Sequence, residues 1–258
     1  MKMNKEILQI EELSINAFPA ILTELYDGWI LRYSNGYTYR GNSINPLYSS
    51  TIDLENKIEY CECKYFEKGL PCVYKITENA SEGLDSSLEK RGYAIEKSAD
   101  IMVCKIDKNT KLKVQDVKIS LDMTDEWLDG FLRLNGIINK SIKLTAKTMI
   151  SNIQNPVFCV SINKGETMVA CGLGVLENKK IGLYDINVME QYRRKGLGTK
   201  ICQAIIEEGI KNGADAAYLQ VASLNKKGVQ LYNSLGFKRL YTYWYRVKNY
   251  SNNVNIAD

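Results

Sequence analysis

The 258-residue chain contains no histidine, only four prolines, and no apolar run approaching the about 20 residues needed to cross a membrane. Absence of histidine removes Ser-His and Cys-His nucleophiles and histidine-held metals together. Any enzyme built on this chain must move protons with Tyr, Asp, Glu, Lys or Cys, or run a reaction that asks little of acids and bases. The opening Met1-Lys-Met-Asn-Lys-Glu6 is polar rather than a signal peptide, so the cytoplasm is the expected location, with no membrane partner. The seven cysteines, at 61, 63, 72, 104, 159, 171 and 202, are odd in number and include no Cys-x2-Cys pair. Without histidine to complete a ligand set, Cys61, Cys63 and Cys72 read as structural thiols, and reduced, buried cysteines without metal are expected.

What remains is ordinary for a soluble globular protein, 45% apolar and 25% charged. The length predicts two domains of about 100 to 150 residues each. A net charge of +4 is too small to argue for a nucleic-acid partner, but it is unevenly divided: residues 1–108 carry −4 and residues 109–258 carry +8. The basic half would draw an anionic ligand, although solubility alone can produce such a split.

That half holds the most informative stretch. Ile181-Gly-Leu-Tyr-Asp-Ile-Asn-Val188 is β-rich, and Leu197, Ile201, Ala204, Ile205 and Ile210 follow at near-helical spacing. The loop between, with Arg193-Arg-Lys-Gly-Leu-Gly198, therefore lies where a strand becomes a helix. Amides at a helix N-terminus are unpaired and partly positive; Gly196 and Gly198 let an anion approach them, and Arg193, Arg194 and Lys195 add charge. Taken alone the loop could also be an ordinary basic helix start. It is not a Walker loop, because the lysine precedes the glycines, and it lacks the third glycine of a dinucleotide fingerprint.

The pattern resembles motif A of the Gcn5-related N-acetyltransferases (GNAT), Arg/Gln-x-x-Gly-x-Gly/Ala, filled by Arg193, Gly196 and Gly198. The similarity continues through a strand at Ala217-Tyr-Leu-Gln-Val221, a helix at Asn225-Lys-Lys-Gly-Val-Gln-Leu-Tyr232, the turn Leu235-Gly-Phe237 and a last strand, 239–247. Upstream, Thr124 caps a helix carrying Trp127, Leu128, Phe131 and Leu132, a second helix lies within 144–153, and two strands at 157–162 and 167–175 form a hairpin. The resemblance covers about residues 115–247. It implies an α+β fold, with a mixed, mostly antiparallel sheet flanked by helices.

The expected division is an N-terminal α+β domain at 1–110 and a catalytic GNAT domain at 111–258, with Lys108-Asn-Thr-Lys-Leu-Lys113 as linker. Residues 5–26 read as one or two amphipathic helices, the second beginning near Ala17, and Asp27 to Ile106 as a mostly antiparallel layer of short strands. The Tyr-, Arg-, Asn- and Ser-dense stretch from Tyr26 to Leu47 either lines a polar pocket or forms a solvated sheet with aromatic cross-strand pairs. Leu88-Glu-Lys-Arg-Gly-Tyr93 echoes Tyr232-Asn-Ser-Leu-Gly-Phe237, and each is followed by a strand-like stretch. The first half then reads either as a degenerate GNAT copy that shapes the substrate cleft without binding cofactor, or as a common helix, glycine, strand connection.

The resemblance implies an acetyl-CoA-dependent N-acetyltransferase in which an amine attacks the thioester directly, a reaction compatible with the missing histidine. Backbone groups at Ile186 and Val188 would pair with the pantetheine arm. Arg193, Arg194, Lys195, Gly196, Leu197, Gly198 and Thr199 would hold the pyrophosphate of coenzyme A, with Asn225 near the arm. Tyr232 would protonate the leaving thiolate. The base is less defined. Simple alternation back from Val188 puts Tyr184 and Gly182 on the cleft side and turns Asp185 away unless a bulge intervenes. Tyr184 and Asp185 are the candidates. The acceptor is a small-molecule or peptide amine, and a homodimer is an allowed assembly. An acyl-CoA-binding regulatory module with little turnover, or a transferase of another acyl group, are the alternatives.

Overall fold

The computed structural model describes residues 4–107 and 114–250. The expected linker at 108–113 lies outside the described residues. Helix α1 (Lys5–Asn16) is followed by strands β1 (Leu22–Tyr26), β2 (Trp29–Tyr33) and β3 (Ile44–Pro46), helix α2 (Leu54–Phe66), β4 (Cys72–Ile76), α3 (Leu84–Lys90) and β5 (Ala94–Lys105). Then come β6 (Lys118–Ser120), α4 (Asp125–Leu134), α5 (Lys140–Ser151), β7 (Val157–Lys164), β8 (Thr167–Glu177), β9 (Lys180–Val188), α6 (Leu197–Lys211), β10 (Ala216–Ala222), α7 (Lys226–Ser234) and β11 (Lys238–Lys248). The chain divides into two compact units, Met1–Leu8 with Ala20–Ser98 and Tyr243–Asp258, and Gln9–Pro19 with Ala99–Thr242.

In the first unit β1, β2 and β3 are antiparallel neighbours, β3 runs parallel to β4, and β4 pairs antiparallel with the end of β11. The expected second helix near Ala17 is replaced by β1, all five of whose residues pair with β2. The cause is the two-residue turn Asp27-Gly28, whose positive φ values of 41° and 82° match the right-handed twist of the paired strands. Leu22 and Leu25, which look like a helical stripe in the sequence, are exposed on this strand. The all-strand layer expected from Asp27 to Ile106 is also interrupted by two helices. In α2, Asp53 caps the amides of Glu55 and Asn56, and Ile58, Cys61 and Tyr65 fall on one face at helical spacing. That face packs with Trp29, Leu31, Ile44, Tyr74, Leu84 and Leu88 as a core.

In the second unit β7, β8 and β9 are antiparallel, β9 runs parallel to β10, and β10 pairs antiparallel with β5. Helix α6 crosses from β9 to β10 and buries Ile201, Cys202, Ala204 and Ile205 among Ile181, Leu183, Ala217 and Leu219. Each unit is thus a mixed, mostly antiparallel sheet flanked by helices. Each half of the sequence also repeats one succession: three antiparallel strands, a helix, a parallel strand, and a second helix leading to a long strand. Strands β5 and β11 each run from one unit into the other. The last strand of each unit therefore comes from the other half of the sequence.

Among the described residues the cysteines are free thiols, no group could hold a metal, and no helix is long and apolar enough to cross a membrane. Burial pushes the Cys61, Cys171 and Cys202 thiols up to about 12.

One bidentate ion pair ties β11 to α3 in the first unit. Arg246, buried on β11, donates from Nε to Asp85 Oδ1 at 2.9 Å and from Nη2 to Oδ2 at 2.8 Å, and Trp244 Nε1 adds a third donor at 2.9 Å. The guanidinium holds the Asp85 carboxyl below the usual carboxylate range. A carboxyl depressed on folding stabilises the fold above its unfolded pKa, about 4, and that contribution is lost as pH falls through the folded value. Asp85→Asn is expected to lower unfolding free energy by about 1–2 kcal/mol at pH 7, less than for a fully enclosed pair because the Asp85 side chain is 37% exposed. Urea unfolding at pH 7 and pH 3 checks this: the gap between variant and wild type should shrink in acid, and an undiminished gap contradicts the assignment.

Candidate active site

The site forms where β9 hands over to α6. The parallel register of β9 with β10 runs from Lys180/Ala216 to Leu183/Leu219, yet β9 continues to Val188 and β10 to Ala222. The strands part beyond Leu183 and Leu219, leaving residues 184–188 off their shared ladder.

A β-bulge sits at the same point. The register of β9 against β8 jumps from Tyr184 opposite Leu173 to Asn187 opposite Cys171, so Asp185 and Ile186 share Gly172. Asp185 takes φ of 51° to do this. The bulge changes the phase of the strand. Ile181 and Leu183 before it, and Ile186 and Val188 after it, all pack with the α6 cluster. Ile186 and Ile201 crowd the position a Gly172 side chain would need, at 2.6 and 2.5 Å. Tyr184, expected from simple alternation to share a side with Val188, instead lies with Tyr218: the rings meet edge-on and the hydroxyls are 2.8 Å apart, both buried.

Gly196, with φ of 75°, is the N-cap of α6 and makes no side-chain capping bond. A side chain there would meet no atom within 4 Å, so its Cβ direction opens into the cleft, while one at Gly198 would stand 3.2 Å from Leu231. The first-turn amides of α6 are thus presented bare, as an anion requires. Arg193 folds back, its Nε donating to the Val188 carbonyl at 3.0 Å, and the Lys195 ammonium lies over the Tyr192 ring at 5.1 Å. Asn225 caps α7 by accepting the Gly228 N–H at 3.0 Å.

These elements enclose a cavity of about 710 Å³, within the about 300–1,000 Å³ usual for small-molecule sites. It gathers Ile186, Val188, Arg193, Arg194, Gly196, Leu197, Gly198, Thr199, Asn225 and Tyr232. Lys195, Tyr184 and Asp185 do not line it. Asn187, Tyr192, Lys227, Gly228, Gln230 and Leu231 line it without having been singled out from sequence. Helical spacing back from Tyr232 points to Gly228, and from Leu231 to Lys227, so the α7 contribution could have been found. The lining carries three cations and no carboxylate. Burial, then Cys202 and Asp185, raise the Tyr232 phenol above its ordinary value, which keeps it protonated at neutral pH.

A family described as probable histone acetyltransferase Rv0428c, C-terminal, matches residues 4–246. The chain belongs to that family of GNAT acetyltransferases. It is 27% identical over 250 residues to the uncharacterized N-acetyltransferase YobR of Bacillus subtilis, across 94% of this chain and 99% of that protein. It is 36% identical over 83 residues to mouse thialysine N-ε-acetyltransferase, across 30% of this chain and 49% of the relative. The structure of a GCN5-related N-acetyltransferase from Kribbella flavida shares the fold, with a TM-score of 0.68, 12% identity and 96% of both chains covered.

In this GNAT chain the α7 start is a separable element, because Asn225 is both cavity wall and helix cap. Asn225→Ala should cost about 1 kcal/mol, the usual worth of an N-cap. Thermal unfolding of the second unit should fall by about 2–4 °C. An unchanged midpoint would show that the cap contributes nothing to the wall.

Proposed function

We propose that this acetyltransferase moves an acetyl group from acetyl-CoA to a primary amine of a small molecule or peptide by direct attack. The parted strands, the bare α6 amides and the cationic, carboxylate-free lining suit a phosphorylated thioester donor, and the parting of β9 from β10 carries the reading. Main-chain groups of residues 184–188 would bind the extended arm. Amides of 197–199, with Arg194 and Lys227, would hold the phosphates, while Arg193 braces the loop against Val188. When bound, acetyl-CoA supplies an activated acyl carbonyl and a thiolate leaving group. Tyr232, kept protonated by burial, would give its proton to that sulfur.

For the base, Asp185 is favoured over Tyr184. The bulge turns Asp185 out of simple alternation and its charge reaches Tyr232, whereas Tyr184 is engaged with Tyr218. The mouse relative is named for acetylating an amine, in keeping with an amine acceptor here. We also read the N-terminal half as a degenerate GNAT copy. The shared strand-and-helix succession supports this, and the copy would shape the acceptor cleft rather than carry chemistry.

The test is release of free CoA thiol, followed with DTNB, over a panel of polyamines, amino acids, aminoglycosides and peptide N-termini. Tyr232→Phe should lower kcat by about 10²-fold or more with little change in acetyl-CoA affinity. Gly196→Val should abolish acetyl-CoA binding in calorimetry, because a branched side chain enters the cleft from a left-handed backbone position. Acetyl-CoA binding without thiol release for any amine would favour the alternative, a binding module with little turnover.

A further inference from the structure

The first unit has its own loop in the topological position of the phosphate loop. Strand β3 runs parallel to β4, and residues 47–53 join β3 to α2, as residues 189–196 join β9 to α6. That loop lacks the Arg-x-x-Gly-x-Gly pattern, yet it wraps an anion. The Asp27 carboxylate, from the β1–β2 turn, accepts the backbone N–H groups of Thr51 and Ile52, each at 2.9 Å, and the Thr51 hydroxyl at 2.8 Å. The Lys57 ammonium, from the first turn of α2, stands 3.1 Å away. Its side chain is 1% exposed, seated 4.0 Å over the Trp29 ring, and also donates to Ser50 and to the Asp27 carbonyl.

Two successive amides, a hydroxyl and a buried ammonium converging on one pair of oxygens form a donor set suited to a phosphate group. Two amides of the first turn of this helix, Glu55 and Asn56, are taken by Asp53, whereas α6 begins without a side-chain cap. A buried ammonium without a counter-charge is strongly destabilising, so a cradle built around Lys57 has to be filled.

We propose that the first unit keeps an anion cradle equivalent to the phosphate loop and closes it from within, the Asp27 carboxylate sitting where a phosphate group would bind, so that the chain takes up one acyl-CoA and not two. This rests on reading the first unit as a second GNAT copy. The Ile52 amide and its neighbours hold the Asp27 carboxyl below the ordinary carboxylate range, so the plug remains charged in neutral solution.

Asp27→Gly removes the carboxylate and suits the backbone, because φ at residue 27 is 41° and glycine enters that region freely. Pyrophosphate binding is measured by calorimetry on the full chain carrying Gly196→Val, with and without Asp27→Gly. The expected result is no binding to Gly196→Val alone and one pyrophosphate per chain, with a Kd of about 1 mM or tighter, for the double variant. A folded double variant that takes up no pyrophosphate overturns the proposal. Should it unfold, recovery of native circular dichroism in about 10 mM pyrophosphate supports the proposal and failure to recover overturns it. Acetyl-CoA stoichiometry of the wild-type chain is read alongside. One supports the proposal and two overturns it; zero defeats the acetyl-CoA reading while the pyrophosphate result still decides the cradle.

Discussion

The site depends on a single break in hydrogen bonding. If β9 stayed paired with β10 along its whole length, residues 184–188 would be satisfied by the neighbouring strand and no main chain would face a ligand. The parting takes this stretch of β9 off the β10 ladder, on the side where a long amide-bearing ligand could run alongside it. The bulge at Asp185 and Ile186 lies where the strands separate, opposite Gly172, the residue whose missing side chain leaves room for Ile186 and Ile201. One glycine on β8 and one left-handed aspartate on β9 thus fix both the opening and which side chains face it.

The two units answer one electrostatic problem differently. A strand entering a helix through a short loop leaves several amides pointing the same way, and these draw negative charge. The second unit leaves its amides bare, with Gly196 in place of a capping side chain and arginines alongside. The first supplies Asp53 and Asp27, backed by a buried lysine. Internal carboxylates make a unit complete without a ligand, and bare amides make one that gains from binding it.

The elements around the phosphate loop were legible because each is signalled locally. Glycines mark the loop, helical spacing marks α6, and Asn225 with Tyr232 marks α7. The bulge was not, because nothing in Tyr184-Asp-Ile186 distinguishes a left-handed Asp185 from an ordinary strand residue, and the crowding that forces it comes from β8 and α6. That is why alternation put Tyr184 on the wrong side. In the first half, Leu22 and Leu25 suggested a helix, and the Asp27-Gly28 turn outweighed them once β2 was available to pair. Helix α2 was hidden by its Tyr, Ile and Cys content, and the Lys57 to Asp27 contact joins residues 30 apart that no local pattern connects.

On the acetyl-transfer reading, a chain without histidine needs a proton donor whose surroundings keep it protonated. Tyr232 is half-buried against the α6 packing, and that loss of solvent, with Asp185 nearby, holds its phenol protonated at neutral pH. Asp185 stands on the strand that leaves its neighbour, and each negative charge there raises the cost of ionising the phenol. On the acetyl-transfer reading, Tyr232 can serve as the donor without an imidazole, because the packing beside the cleft holds its proton at neutral pH.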